Sequence, residues 1–354
     1  MYSDWYGKIV MRFDVVGLGI NAVDCLLRVE DPNVIFKGKY TQFRPDIELP
    51  VNSRKFSEWS IQGGGLVATA MAAVGRLGGK AAMISKVGDD EWGKFAISDF
   101  KKYNVDTSHV FVDKGIKTLV TLILLGKDGT NQWVEAKYLK DFKLPSDIHR
   151  AAMWKMANPL TEEDMKRHEI YSNEQLDILT EGKMLNLGEC SDVTIDAART
   201  AKRKGVPTCY DMEVYSHPRL FEFLKNITYL IISRKTAMEF TKETDPVTMC
   251  KKLLSFGPEV AGVTLGEDGS VFVTGNGVIV RKAFKVQAVD TTGAGDVFHG
   301  AFSYGIVQGW DIVRAIEFSS VVSSIKCTKV GGRAGIPSLM EVEAFLKKRV
   351  EEIR

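Results

Sequence analysis

The 354-residue sequence predicts an α/β fold, a doubly wound and mainly parallel sheet with helices on both faces. Two features carry this. Between Lys183 and Ile232 strand and helix patterns alternate, with strands at Lys183–Leu187, Val206–Tyr210 and Tyr229–Ile232 and a helix at Val193–Lys204. Such alternation joins parallel strands through crossover helices that bury the sheet on both sides. The second feature is Asp290–Phe302, DTTGAGDVFHGAF, where a glycine turn opens into apolar positions at helical spacing. Ligands on such sheets sit at the carboxyl ends of strands, where Gly188, Glu189, Asp211 and Ser233 fall.

Taken in order, Arg12–Gly19 (RFDVVGLG) is a buried strand ending in glycines. Gly17–Ala22, GLGINA, has the spacing of a dinucleotide fingerprint, which requires a helix next and an acidic residue about twenty positions on. Alternating Cys25, Leu27 and Val29 predict a strand instead, ended by Pro32, which argues against a nicotinamide site. Short β-like pieces follow at Lys37–Arg44 and Ile47–Val51. A hairpin pattern spans Lys117–Leu125 and Asn131–Ala136 across Lys127, Asp128 and Gly129. Between these regions Gly63, Gly64 and Gly65 lead into an Ala-rich amphipathic helix that Gly78 and Gly79 end, and Ala81–Val87 is the next strand.

From Asp141 to Thr180 only a polar helix, TEEDMKRHE, is legible. His149 and His168 lack metal-ligand spacing and read as part of a solvated face. Val263–Val273 reads as a β-hairpin with Gly266 and Gly269 in its turn. Helix Ile312–Lys326 leads to a second glycine-rich loop, KCTKVGGRAGIP, and Ser338 with Glu341 makes a capping box for the last helix.

A chain with 45% hydrophobic and 26% charged residues is long enough for one large α/β domain or two smaller ones. The formal net charge of +2 gives no reason to expect nucleic acid or an acidic membrane as partner. Five cysteines without CxxC spacing read as free thiols in a reducing compartment. Residues 1–10 have neither a basic n-region nor an apolar core and read as a loose extension, so a cytoplasmic protein is expected.

The chemistry concentrates at the turn. Gly293, Ala294 and Gly295 have almost no side chain, so their N–H groups can approach a ligand closely. The positive end of the helix dipole makes the same place an anion site. Asp296 lies in the first helical turn, where the dipole and the N–H groups favour its charged form, so it is expected to be ionised at neutral pH. An ionised carboxylate there can accept a proton while the turn stabilises charge on a transferring group. A helix cap beside a tight turn would use the same residues.

The string closely resembles the C-terminal signature of the ribokinase or PfkB-type carbohydrate kinases. The resemblance runs from about Phe13 to the last helix. It implies a ribokinase-like domain over 11–354 with a small β-sheet lid inserted at 26–60 and 117–137, after the extension at 1–10. By position it implies Asp296 as general base and Gly293, Ala294 and Gly295 as the anion hole. It implies nucleotide contacts from Thr264, Gly266, Gly269, Thr292 and Gly331. Sugar contacts would come from Asp24, five residues after Gly19, and from Gly63, Gly64 and Gly65. A few stretches are similar to sulfofructose kinase-like members, which adds Lys39 as an anion-binding residue on the lid side. ATP and Mg2+ are the implied cofactors, with a monovalent cation as an open addition. A small sugar or sugar derivative is the implied substrate, and a homodimer through the lid is expected, since exposed sheet edges tend to be covered.

Two departures stand out. Ala68 occupies a position where many members carry a sugar-contacting Asn, which puts ribose-type recognition in doubt. Ser233, Arg234, Lys235 and Thr236 stand where relatives have an NxxE motif that organises magnesium, so no metal ligand is named. A kinase of a nucleoside or other small alcohol, such as a hydroxymethylpyrimidine, would use the same turn with a different pocket. A non-catalytic sugar or nucleotide sensor would explain the missing NxxE residues.

Overall fold

Strand β1 (Phe13–Leu18) shows why the main sheet is buried on both faces: Val16 and Leu18 join one apolar core while Val15 joins the other. The computed structural model describes residues 11–29, 56–126, 131–133, 146–158, 162–168 and 171–353. After β1 come strands β2 (Ala22–Val29) and β3 (Phe56–Gly64), helix α1 (Leu66–Arg76), strand β4 (Ala81–Gly88) and helix α2 (Glu91–Phe100). Strands β5 (Val105–Asp106), β6 (Val110–Asp113), β7 (Leu119–Leu125) and β8 (Asn131–Trp133) precede helices α3 (Ser146–Ala157) and α4 (Glu162–His168). Alternation then resumes with β9 (Gly182–Leu187), α5 (Asp192–Arg203), β10 (Thr208–Asp211), α6 (Leu220–Leu224) and β11 (Tyr229–Ser233). Helices α7 (Arg234–Thr241) and α8 (Pro246–Ser255) lead to strands β12 (Val260–Thr264), β13 (Ser270–Thr274) and β14 (Gly277–Arg281). Helices α9 (Ala294–Val307), α10 (Ile312–Lys326) and α11 (Leu339–Ile353) close the chain.

Ten strands form the main sheet in the order β14-β13-β12-β11-β10-β9-β1-β4-β5, with β6 pairing β4. From β12 to β5 the pairing is parallel, and at one edge β13 pairs antiparallel with both β12 and β14. This is the doubly wound α/β architecture expected from the alternation. One core holds α1, α9 and α10 against one face; α5, α6 and α8 pack on the other. Strand β10 starts two residues later than its apolar run, after Pro207, which has no N–H for the ladder. The chain passes from β1 directly into β2 with no intervening helix, so GLGINA lacks the helix N-terminus that a dinucleotide site requires.

A second sheet of four strands, in the order β3-β2-β7-β8, stands apart from the first. It combines the two regions anticipated as a lid, and β2 and β3 extend it back to Ala22 and on to Gly64. The pieces anticipated at 37–44 and 47–51, together with Lys39, the extension 1–10 and residues 134–136, lie outside the described residues. Among the described residues of 141–180, α3 and a 3-10 helix at Glu174–Thr180 are elements that the sequence did not suggest. His168 corrects the expectation of a solvated face: it is buried, and its Nε2 lies 3.0 Å from the Lys117 carbonyl at the start of β7. Packing of α4 beside β4 overrides the polar pattern there. His149 is exposed, as anticipated.

Candidate active site

The transfer turn is a set of local constraints. Gly293 precedes α9 with φ of 72°, a left-handed conformation, and a Cβ on it would lie 3.1 Å from Gly332 Cα. Only glycine meets both demands without strain. The buried Asp290 carboxylate accepts the Thr292 N–H at 2.8 Å on one oxygen and the Gly331 N–H at 2.7 Å on the other. This fixes Thr292, Gly293 and Gly331 as one unit. Lys326, buried beneath it, donates to the Asp290 carbonyl at 2.8 Å, and burial holds its ammonium below the ordinary lysine range. The small sheet reaches the same place: Asn131 donates to the Thr292 hydroxyl at 3.0 Å and Arg28 to the Val289 carbonyl at 3.0 Å. Within the turn the Ala294 N–H is already engaged by the Thr291 carbonyl at 3.1 Å, so it is not idle in the ligand-free chain.

Asp296, Asp211, Asn186 and His299 line one narrow cleft at the carboxyl ends of β9 and β10. Asp296 is half-buried, and its carboxyl is pushed well above the usual carboxylate range, first by loss of water and then by the negative charges of Asp211, Glu213 and Asp24. This shift opposes the expectation of a carboxylate stabilised in its charged form. The helix dipole and turn amides favour the anion, but desolvation and like charges outweigh them. Asp211 is pushed up to about 7 by burial and by Glu189. Glu213 is exposed beside the cleft and adds repulsion at longer range. His299, three residues after Asp296, is buried with Nδ1 3.4 Å from Asp211 Oδ2, and burial pushes its imidazole down to about 4. It is therefore neutral near pH 7.

The acceptor half is assembled from distant segments. Asp24, near the start of β2, is pushed up to about 6 by burial, opposed by Arg333, by a hydrogen bond with Thr121 and by Lys155. Lys155 comes from α3, which gives part of the illegible segment a place at the site, and it also donates to the Val120 carbonyl at 2.8 Å. A Cβ on Gly64 would fall 2.3 Å from the Asp24 carboxylate, and one on Gly63 2.0 Å from Arg333 Nη1. Gly65 has φ of 93°, and a Cβ there would meet the Ile20 carbonyl at 2.3 Å. Protein neighbours thus account for all three glycines, and Gly64 is the one that clears room for a candidate sugar ligand. Ala68, on α1, is fully buried in the core.

Where the resemblance implies nucleotide contacts, Thr264 pairs with Ser233 at the carboxyl ends of β12 and β11. Gly266 and Gly269 make the turn between β12 and β13 with φ of 62° and 102°, and a Cβ on Gly269 would meet the Arg281 carbonyl at 2.0 Å. Ser233 caps α7 by accepting the Thr236 N–H at 3.2 Å, and Arg234 pairs with Asp268 at 2.9 Å. The stretch that departs from NxxE is therefore occupied by a cap and an ion pair. Among the described residues no group of three or more His, Cys, Asp or Glu side chains could hold a metal ion. The carboxylates of Asp211 and Asp296 in the cleft are the groups a magnesium ion held mainly by phosphate oxygens and water would face. Sequence reasoning missed Asp211 as a neighbour of the turn, and also His299, Lys155 and Arg333. His299 carried a weak signal, since a polar residue one helical turn from Asp296 falls on the same face.

The chain is similar to known proteins over most of its length. The model of the pfkB family carbohydrate kinases matches residues 39–339. The chain is 25% identical over 359 residues to a 5-dehydro-2-deoxygluconokinase of Clostridium perfringens, covering 96% of this chain and 95% of that protein. It is 27% identical over 303 residues to fructokinase-1 of Zea mays, covering 80% of this chain and 88% of the relative. The structure of Arabidopsis thaliana ribokinase complexed with ribose and ATP matches at a TM-score of 0.72 with 21% identity, over 95% of this chain and 99% of that one.

Proposed function

This chain belongs to the pfkB family of carbohydrate kinases, and from that premise we propose that it moves the γ-phosphate of ATP to a hydroxyl of a sugar or sugar derivative, with Asp296 as the base. The observation that carries the assignment is the placement of Asp296: it follows the Gly293–Gly295 turn directly and faces the cleft shared with Asp211 and Asn186. Asp24 would accept a hydrogen bond from the acceptor and fix its orientation. Asp296 would take the proton of the attacked hydroxyl, the new O–P bond would form as the bond to the ADP oxygen breaks, and the turn would stabilise the equatorial oxygens. Mg2+, when bound, offsets the phosphate charge. Asp296 would act as base from its ionised form, which a cation held beside the phosphates would favour.

The sugar kinase names of the relatives in Clostridium perfringens and Zea mays support a sugar or sugar derivative as acceptor. ADP release with ATP and Mg2+, against a panel of sugars, sugar acids, sulfosugars and nucleosides, identifies the acceptor. Turnover should vanish with EDTA and return with Mg2+. Binding of ATP and sugar without ADP release would instead establish a sensor. The four-stranded sheet is assigned as the lid and as a homodimer interface, supported by exposed Trp59 and Trp133 on it. Light scattering that gives a monomer with and without ligand would overturn the dimer. Among the described residues no helix is long and apolar enough to cross a membrane, and with five free cysteines a cytoplasmic site of action is the reading we adopt.

A further inference from the structure

Arg333 is fully buried, and a guanidinium out of water persists only where its fork is hydrogen-bonded and its charge is met. Its partners lie on the acceptor side. Nη2 donates to the Gly64 carbonyl at 2.6 Å and to Asn21 Oδ1 at 3.2 Å, and Nη1 donates to Asp99 Oδ2 at 3.3 Å. The same Asp99 oxygen accepts the Gly63 N–H at 3.0 Å. The backbone N–H groups of Arg333 and Ala334 both donate to Gln62 Oε1, at 3.0 and 2.9 Å. The two residues before Arg333 belong to the other half of the site: Gly331 is bound to Asp290, and Gly332 packs against Gly293. Four consecutive residues therefore join the strand that lies against Asp24 to the turn that holds Asp296.

We propose that Arg333 is a positioning residue that couples the two halves, so that nucleotide at the turn orders the end of β3 beside Asp24. The inference rests on the nucleotide reading above. The Arg333 fork and Gln62 Oε1 are engaged by several partners in a low-dielectric interior, while Asn21 Nδ2 and Gln62 Nε2 find none among the described residues, so displacement of Gly331 and Gly332 is felt at Gln62, Gly63 and Gly64. An arginine that served only to hold the fold would stabilise it without linking events at the two places. A coupling arginine makes ligand at one place slow local opening at the other.

Amide hydrogen exchange on the intact chain, with and without the ATP analogue AMP-PNP and Mg2+, separates these cases. In the parent, exchange should slow over residues 291–297 and also over 58–64, the second by about fivefold or more, the lower end of typical coupling between sites. Arg333→Lys keeps a charge opposite Asp99 but loses the planar fork. Protection over 291–297 should remain in it, while protection over 58–64 disappears. Gln62→Met removes the acceptor of the Arg333 and Ala334 N–H groups and should give the same split, which covers the case in which the lysine variant does not fold. Undiminished protection over 58–64 in the variants, or none in a parent whose turn is protected, overturns the coupling. Loss of the fold in both variants also overturns it, since Arg333 would then be structural only. A parent with no protection at the turn overturns the nucleotide reading itself.

Discussion

The transfer turn draws Asp290, Thr292, Gly293 and Asp296 from seven consecutive positions, with a glycine at a left-handed φ and one carboxylate binding two amides. The acceptor half draws Asp24, Gly64, Lys155 and Arg333 from four segments spread along the chain, joined by bonds such as the one from Arg333 to Gly64 across 269 positions. The first is held by local geometry and the second by tertiary packing. Damage at the turn should therefore appear in the chemical step, and damage at the acceptor half in binding. That division is open to direct attack.

The largest effect belongs to Asp296→Asn. It keeps size and shape and leaves Gly293–Gly295 alone, but removes the proton acceptor. General-base assistance contributes about 10²- to 10⁴-fold, so kcat should fall by at least that range. ATP affinity, measured by calorimetry, should hold or rise, because the turn amides remain and one negative charge near the phosphates is gone. Near-parental turnover would make Asp296 a helix cap and break the comparison at its first term. Asp24→Asn comes next. A hydrogen bond to a charged group contributes about 1.5–3 kcal/mol, so kcat/KM should fall about 10- to 150-fold, carried by KM with kcat largely kept. A fall in kcat with KM unchanged would place Asp24 in the chemistry instead.

The same contrast decides what the sequence could tell. The turn was legible because its chemistry is contiguous: small residues, an acid and an apolar helix in one string. The parallel sheet was legible from strand and helix periodicity at β1, β4, β9 and β11, each of which formed within two residues of the expected bounds. Arg333 was illegible because nothing in GGRAGIP distinguishes an exposed arginine from one buried against Asp99 and Phe100. Lys155 was hidden because it lies on α3, in a segment where the sequence suggested neither that helix nor a catalytic pattern. The proton affinity of Asp296 was misjudged because local reasoning sees the dipole, while the opposing charges of Asp211 and Asp24 arrive from other strands.

Those opposing charges make a smaller prediction. Asp211→Asn removes the largest charge repulsion on Asp296, so the acid limb of the kcat/KM profile should move to lower pH while kcat at the plateau stays within a few-fold. An unmoved limb would show that the base does not feel Asp211. The variant keeps a group opposite His299, which separates charge from packing.

The smallest effect is on stability, and its sign follows from the direction of the shift. Asp211 is raised in the fold to about 7 from an ordinary value of 3.8, so its contribution is fully present below the ordinary value and is lost as pH rises through about 7. Glu222 and Glu341, lowered to about 2, are ionised in both states above pH 6 and are silent there. His299, lowered to about 4, acts in the opposite sense between about 4 and 6.5 and then stops contributing. The window from about pH 6.5 to 8 therefore isolates the carboxylates of the cleft. Over it the Tm of the ligand-free parent should fall by roughly 1–3 °C, and that of Asp211→Asn by less. Because the turn is stiff and locally bonded, the cost of ionisation falls where β10 meets α9, so the variant should flatten the slope and have a Tm at pH 6 at or above the parent's, since the parent's loss runs from 3.8 to about 7. Parallel slopes for the two proteins would mean that Asp211 ionises into solvent through the cleft mouth instead of against Asp296.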